Sequence, residues 1–554
     1  MNPPPLGQVL VRRKVITSQQ LEAALQEQAA VGGRLGAVLA RMGLASEEAV
    51  YAALSEQMGV PYIRVRRIEV SEDLRRLVPA QIAHHYRCLP MEQADGVLKV
   101  AVADPLDVRL LDDLKTLLRC EVRPALADEG EIAEAIQRCY GVGADTIGGL
   151  AAEAQAEVRE SRVEDVKDLS GEASVSRLVG QILAEAFRAR ATDVHLEPGE
   201  KALRLRYRLD GLLYDRRVPA EIRRFHEAIV SRIKVLARLN IAEKRLPQDG
   251  RFTMRAEEGE LDVRVSVLPT PHGEAVNLRL LSVRSALRGL EGLGLLEEDR
   301  AALERVIQRP HGVLFATGPT GSGKTTTLYA CLKRIHDGTK KILTIEDPIE
   351  YQLEGVIQMQ VQPKIGLTFA QGLRAMLRHD PDVMMVGEVR DPETAEATVR
   401  AALTGHFVLS SLHTNDAPSA VPRLLNMGVE PYLISSTLEA VVAQRLVRVI
   451  CPDCRREAPA PEGLGRGWNL GATVFEGAGC EGCGYTGYRG RTALYEVLMV
   501  DDAIRGLIEA RAPAGEIREE ATRRGMRSLA QDGAEKVRRG WTTVAEALRA
   551  TQME

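Results

Sequence analysis

The 554-residue chain is short of aromatic side chains, 4% of the total, and has no surplus of positive charge: 73 Lys and Arg stand against 77 Asp and Glu, a net charge of −4. Both shortages count against nucleic acid as a partner, because duplex binding draws on bulk cationic charge and strand binding on a basic stripe interleaved with rings. Nowhere do 18 uncharged apolar residues follow one another, so no segment is expected to span a bilayer. The opening Met1-Asn-Pro-Pro-Pro lacks the apolar core of a secretory leader. A cytoplasmic location is the expectation, with any membrane contact made through partners. The rest is ordinary for globular protein: 45% hydrophobic and 27% charged residues, on a length that suits three or four domains.

The most informative stretch is Gly312 to Tyr329. An apolar strand-like run, Val313 to Ala316, feeds Gly318-Pro319-Thr320-Gly321-Ser322-Gly323-Lys324-Thr325-Thr326, the Gly-x-x-x-x-Gly-Lys-Thr pattern of a P-loop. Glycines let the backbone curl until successive N–H groups converge on phosphate oxygens, with a helix dipole behind them. Lys324 would reach the β- and γ-phosphates of ATP, and the Thr325 hydroxyl would hold Mg²⁺. A glycine turn with a coincidental lysine is the bland alternative; the strand before, the helix after and the intact octet all count against it.

Three later strands end in polar residues. Lys341 to Glu346 closes on Glu346-Asp347, Asp382 to Arg390 on Gly387-Glu388, and Gly405 to Asp416 on His413-Thr414-Asn415-Asp416. In an open α/β sheet, strand C-termini face the ligand crevice. Glu388 would polarise the attacking water, Glu346 would help hold Mg²⁺ or that water, and His413 would sense the γ-phosphate. For any one of these a structural role is the simpler reading, but three after one P-loop point to a site.

Before this motor, expected at 289–554, residues 172–288 read as a PAS-like α/β domain. Its strand Leu203 to Gly211 carries Arg204, Arg206 and Arg208 at spacing two, on one face, and a later strand adds Arg279. An arginine set beside a P-loop domain suggests fingers for the γ-phosphate of a neighbouring site; a solvated face matched by cross-strand acids explains the spacing equally well. Residues 141–171, rich in Gly, Ala and acids, read as a linker. Residues 61–140 read as a small α/β continuation of an N-terminal domain, 1–140, that opens with a helical repeat. A shift of 29 aligns Leu6, Gly7, Val9 and Leu10 with Leu35, Gly36, Val38 and Leu39, and Ala24, Leu25 and Gln28 with Ala53, Leu54 and Gln57. Each copy should be a short helix, a cap (Thr17 or Ser46) and a second helix.

Cysteines fall into two groups. Cys88, Cys120, Cys139 and Cys331 are scattered and expected as packed thiols. Cys451, Cys454, Cys480 and Cys483 form two Cys-x-x-Cys knuckles that would close a tetrahedral structural Zn²⁺ site, with 459–479 as a loop-like insertion between them. A redox pair or free thiols are the alternatives.

The motif series resembles the secretion ATPases of type II secretion and type IV pilus assembly. It consists of Gly318 to Tyr329, Ile345-Glu-Asp-Pro-Ile-Glu-Tyr351, Asp380-Pro-Asp-Val-Met-Met-Val-Gly-Glu-Val-Arg-Asp391 and Gly405-His-Phe-Val-Leu-Ser-Ser-Leu-His-Thr-Asn-Asp416. The likeness implies a RecA-like motor working as a cytoplasmic homohexamer, with ATP between it and the preceding domain and the arginine role carried to Arg204, Arg206, Arg208 and Arg279. Its implied partners are an inner-membrane platform protein and the cytoplasmic domain of a membrane-anchored component. The tetracysteine insert resembles the assembly subfamily. Tyr351-Gln-Leu-Glu-Gly355 and Arg279-Leu-Leu281 look more like the secretion branch (GspE-like) than the pilus branch (PilB-like), which stays as the alternative beside a RecA-like nucleic-acid translocase. The N-terminal repeat resembles a cyclic-di-GMP-binding domain, implying Arg34, Leu35, Gly36 and Gln57 as ligand residues; Pro5 and Lys14 replace that pattern's Arg and Gly in the first copy. A protein-docking module is the alternative there.

Overall fold

A computed structural model describes residues 5–32, 35–144, 146–147, 150, 168–256, 259–282, 289–461, 468 and 470–551. The chain divides into two compact units, Met1–Leu281 and Ser282–Glu554.

The first unit opens with the duplicated hairpin: α1 (Leu6–Arg12), α2 (Ser18–Val31), α3 (Leu35–Arg41) and α4 (Glu47–Met58). Thr17 caps α2 by accepting from the Gln20 N–H at 3.2 Å, and Ser46 caps α4 by accepting from the Ala49 N–H at 3.3 Å. Equivalent positions do equivalent work. Val9 and Val38, Leu10 and Leu39, and Ala24 and Ala53 are all buried in one core. A Cβ on Gly7 would come 2.5 Å from the Leu21 side chain, and one on Gly36 would come 2.6 Å from that of Val50.

A small sheet follows, β1 (Leu89–Ala94), β2 (Val97–Val102) and β3 (Glu121–Leu126), in the order β1-β2-β3 with β2 and β3 parallel. The next sheet has six strands: β4 (Ala191–Pro198), β5 (Leu203–Leu209), β6 (Leu212–Arg216), β7 (Gln248–Ala256), β8 (Gly259–Thr270) and β9 (Gly273–Ser282), ordered β6-β5-β4-β9-β8-β7. Alternation sends Val194, Leu196, Leu205, Tyr207, Val276 and Leu278 into a core shared with the helices Asp168–Arg188 and His226–Leu236. Alternate residues, the arginines among them, line the other face. The expected linker begins inside this core: Val142, Ile147 and Leu150 are buried there, because small and polar neighbours do not stop three apolar side chains from packing. Residues 151–167 of that expected linker lie outside the described residues.

The second unit is built on seven strands: β10 (Gly312–Thr317), β11 (Ile342–Glu346), β12 (Val356–Gln360), β13 (Val383–Val386), β14 (Phe407–Leu412), β15 (Leu438–Ile450) and β18 (Tyr488–Met499). Their order is β12-β11-β13-β14-β10-β15-β18. The first six are parallel, and β18 returns antiparallel along β15. Strands β10, β11, β13 and β14 are buried at every residue, as their continuous apolar sequences require when helices cover both faces of a sheet. This is the RecA-like motor expected. Between β15 and β18 sits a two-stranded ribbon, β16 (Arg455–Pro459) and β17 (Thr473–Gly477), so the span between the cysteine knuckles is partly strand, not wholly loop. Near the C-terminal end, the helices Leu529–Arg538 and Val544–Thr551 are parted where Gly540 takes a φ of 66°.

Candidate functional site

Strands β13, β14 and β10 are adjacent and parallel, so the residues after their C-terminal ends converge. After β10 comes the P-loop, Gly318 to Thr326, and its helix Lys324–Ile335. Gly318 is required by contact: a Cβ there would fall 2.6 Å from the Gln444 carbonyl oxygen, and its φ of 142° suits only glycine. Pro319, Thr320 and Gly321 lie exposed, Ser322 is buried, and Gly323, Thr325 and Thr326 are half-buried. The Lys324 ammonium donates to the Gly318 carbonyl at 2.8 Å and the Pro319 carbonyl at 3.1 Å. Burial holds its pKa below the ordinary lysine value; Glu388 opposes this, and Arg445 and Arg390 reinforce it.

Glu388 follows β13 and is largely enclosed, with 14% of its side chain exposed. Its Oε2 takes the Arg390 Nε at 2.7 Å and faces His413 Nε2, after β14, at 3.3 Å. Gly387 before it lies against β11, where a Cβ would come 3.3 Å from the Glu346 Cα. The Ser411 hydroxyl donates to the Gly387 carbonyl at 2.8 Å and the Ser410 hydroxyl to the Val386 carbonyl at 2.7 Å, which fixes the backbone that aims Glu388. Around Lys324 the described residues thus bring Glu388 together with two further cations, Arg390 and Arg445, a cationic excess suited to a polyphosphate.

Glu346 is 2% exposed, and its carboxylate is engaged by protein donors: the Tyr329 hydroxyl, the Thr344 hydroxyl at 2.6 Å and the Gln358 amide at 3.0 Å. Burial raises its pKa, and those donors pull the other way. Oε1 takes two of these donors and Oε2 only the Tyr329 hydroxyl, so one acceptor position on Oε2 stays open to a metal or a water. The arginines of the first unit are matched by acids across the strands. Arg204 pairs with Asp215 at 3.1 Å, Arg206 with Glu197, and Asp193 accepts Arg279 at 3.0 Å with Arg208 at 3.7 Å. In the N-terminal repeat, Leu35 packs on the hairpin core, Gly36 lies against Val50 and Gln57 is half-buried, while Arg34 lies outside the described residues.

The four cysteines of the two knuckles do converge. Their sulfurs lie within 4.8 Å of one another, with Cys451–Cys480 at 3.7 Å, Cys454–Cys483 at 3.9 Å and Cys480–Cys483 at 3.8 Å. A tetrahedral ion with Zn–S bonds of about 2.3 Å sets its sulfurs about 3.8 Å apart, so the cluster fits Zn²⁺. The Cys480 and Gly487 N–H groups donate to the Cys483 sulfur at 3.2 and 3.3 Å, as suits a thiolate. The scattered cysteines are packed thiols: burial pushes Cys88 and Cys331 up to about 12.

Sequence reading gave no role to Arg390, Arg445 or Gln444. Arg390 had a signal, two residues beyond Glu388 at a strand end; the others owe their place to β15 passing under the P-loop.

Comparison with known proteins agrees with this geometry. The family described as Type II/IV secretion system protein matches residues 168–549, and the MshEN domain matches 58–146. The chain is 41% identical to the type IV pilus assembly ATPase PilB of Myxococcus xanthus and 40% identical to the type II secretion system protein E of Xanthomonas campestris pv. campestris. Each match covers 98% of both chains. The crystal structure of the ATPase DotB of Legionella pneumophila shares the fold, with a TM-score of 0.50 at 22% identity over 67% of this chain and 94% of that one. With its P-loop, its converging strand ends and full-length relatives of this identity, the chain is a P-loop ATPase belonging to the type II/IV secretion system protein family.

Proposed function

We propose that the protein is a cytoplasmic hexameric ATPase that powers pseudopilus assembly and protein export in type II secretion, by coupling ATP hydrolysis to domain motion against an inner-membrane platform protein. The observation that carries the hydrolytic part is Glu388, enclosed beside the P-loop with Arg390 and His413 on its one carboxylate oxygen. In the reaction, the P-loop N–H groups and Lys324 hold the phosphates, Lys324 exchanging its loop carbonyls for phosphate oxygens. Thr325 would hold Mg²⁺, which would supply neutralising charge for the phosphates. Glu388 orients and polarises the water for in-line attack, and His413 senses the γ-phosphate. Glu346, held at the end of β11 by its internal donors, would help hold Mg²⁺ or that water through its open Oε2 position. Arg204, Arg206, Arg208 and Arg279 exchange their carboxylate partners for the γ-phosphate of a neighbouring subunit's nucleotide. The N-terminal repeat takes cyclic-di-GMP, a reading supported by two copies that share cap, core and glycine contact.

The test is Glu388→Gln in purified full-length protein. ATP binding should persist while turnover falls by more than about 100-fold. Near-normal turnover would remove Glu388 from the role of base.

A further inference from the structure

Strand β15 runs beneath the P-loop, and one of its side chains, Gln444, is enclosed to 1% exposure. Both ends of its amide are in use. Nε2 donates to the Ser322 carbonyl at 2.8 Å, inside the glycine-rich turn. Oε1 accepts from the Thr327 hydroxyl at 2.9 Å, in the first turn of the P-loop helix. The same Nε2 lies 3.1 Å from the place of a Cβ on Gly323, so the strand and the turn are in close contact.

The Ser322 carbonyl and the Gly323 N–H belong to one planar trans peptide and point in opposite directions. Drawing that carbonyl down onto Gln444 therefore turns the Gly323 N–H up, away from the strand and toward the place a P-loop offers phosphate. Glycine at 323 gives the peptide no steric resistance to rotation, so something else must fix its orientation. The Thr327 bond ties the same amide to the helix that follows, and so sets the height of the turn above β15.

We propose that Gln444 is a positioning residue of the nucleotide site: it touches no phosphate itself but holds the 322–323 peptide in the orientation that presents the Gly323 N–H to the nucleotide. This rests on the P-loop being the ATP site. It predicts a specific defect. Losing the Nε2 donor loosens phosphate binding, while the reacting groups around Glu388 stay in place.

The experiment uses full-length Gln444→Leu, Gln444→Glu and Thr327→Val proteins, measuring ATP and ADP binding, KM and kcat, and the nucleotide-induced rise in thermal midpoint. Both Gln444 variants should raise Kd and KM by about tenfold, the loss of roughly one hydrogen bond to a charged group, and shrink that rise. Their kcat at saturating ATP should stay within about threefold, as when only uniform binding is lost. Gln444→Glu keeps the shape and the acceptor for Thr327 but turns an acceptor on the Ser322 carbonyl, so it should fail as Gln444→Leu does. Thr327→Val removes only the helix-side bond and should weaken binding less than either. Wild-type Kd and KM in both Gln444 variants, or a defect confined to kcat, would overturn the proposal. If Gln444→Leu does not fold, the isosteric Gln444→Glu decides alone. Wild-type protein that bound no ATP would instead sink the ATPase reading, so the two failures are distinguishable.

Discussion

Lys14 adopts a left-handed backbone, φ 59°, at the position where the second copy of the repeat has Gly43 at φ 67°. A side chain there crowds the following carbonyl by about 1–2 kcal/mol, and glycine escapes that strain at a smaller entropic cost. Lys14→Gly should therefore stabilise the hairpin of α1 and α2 by about 0.5–1 kcal/mol. Slower amide exchange in α2 of the intact protein would show it, and unchanged or faster exchange would mean that Lys14 has a compensating contact. The departure of the first copy was legible in sequence as a missing glycine, but its backbone consequence was not. The same division runs through the site. Lys324, Glu388 and His413 were legible because each ends a strand or opens a helix within its own motif. Gln444 was not: it looks like one polar residue in Val441-Val-Ala-Gln-Arg-Leu-Val447, and its partners Ser322 and Thr327 are more than a hundred residues away. Glu346 was legible as a strand-end acid, yet only the packing of Tyr329, Thr344 and Gln358 around it shows how much its carboxylate is already engaged.

At the scale of elements, β15 and β18 form one long antiparallel pair whose far end is closed by the cysteine cluster. Cys451 follows β15 directly, its N–H donates to the Gly487 carbonyl at 3.0 Å, and Cys483 lies just before β18. Four protein ligands would leave Zn²⁺ no open position, so its work there would be to staple this end. Removing the ion would leave two buried and two half-buried thiols at the base of the ribbon of β16 and β17. Treatment with a strong chelator should release one zinc per chain. Amide exchange should then accelerate in 451–459 and 473–490, with β10, β11, β13 and β14 still protected inside the sheet. A protein that releases no zinc, or whose knuckle exchanges at the same rate with and without it, would remove the metal from this structural role. The sequence spacing carried the four ligands into view. The ribbon stayed hidden because β16 and β17 are short, partly polar strands of five residues each.

For the whole molecule, the fold class was legible because the motor's strands are continuous apolar runs and the repeat shows itself by its shift of 29. The choice between secretion and pilus assembly is different, since full-length relatives carrying each name match at 41% and 40% identity. Shared catalytic geometry cannot separate them, because both branches draw on the same hydrolysis; what differs is the machine that receives the motion. If the motor works as the hexamer proposed above, a subunit with a blocked base should be dominant over its machine, as inactive subunits enter mixed rings. Glu388→Gln expressed in the source organism should therefore abolish the secretion of folded proteins and leave surface pili intact, both assayed on the same culture. Loss of pili with secretion intact would assign the motor to the pilus branch, while leaving the hydrolytic site unchanged. Loss of neither would mean that the ATPase drives some third assembly.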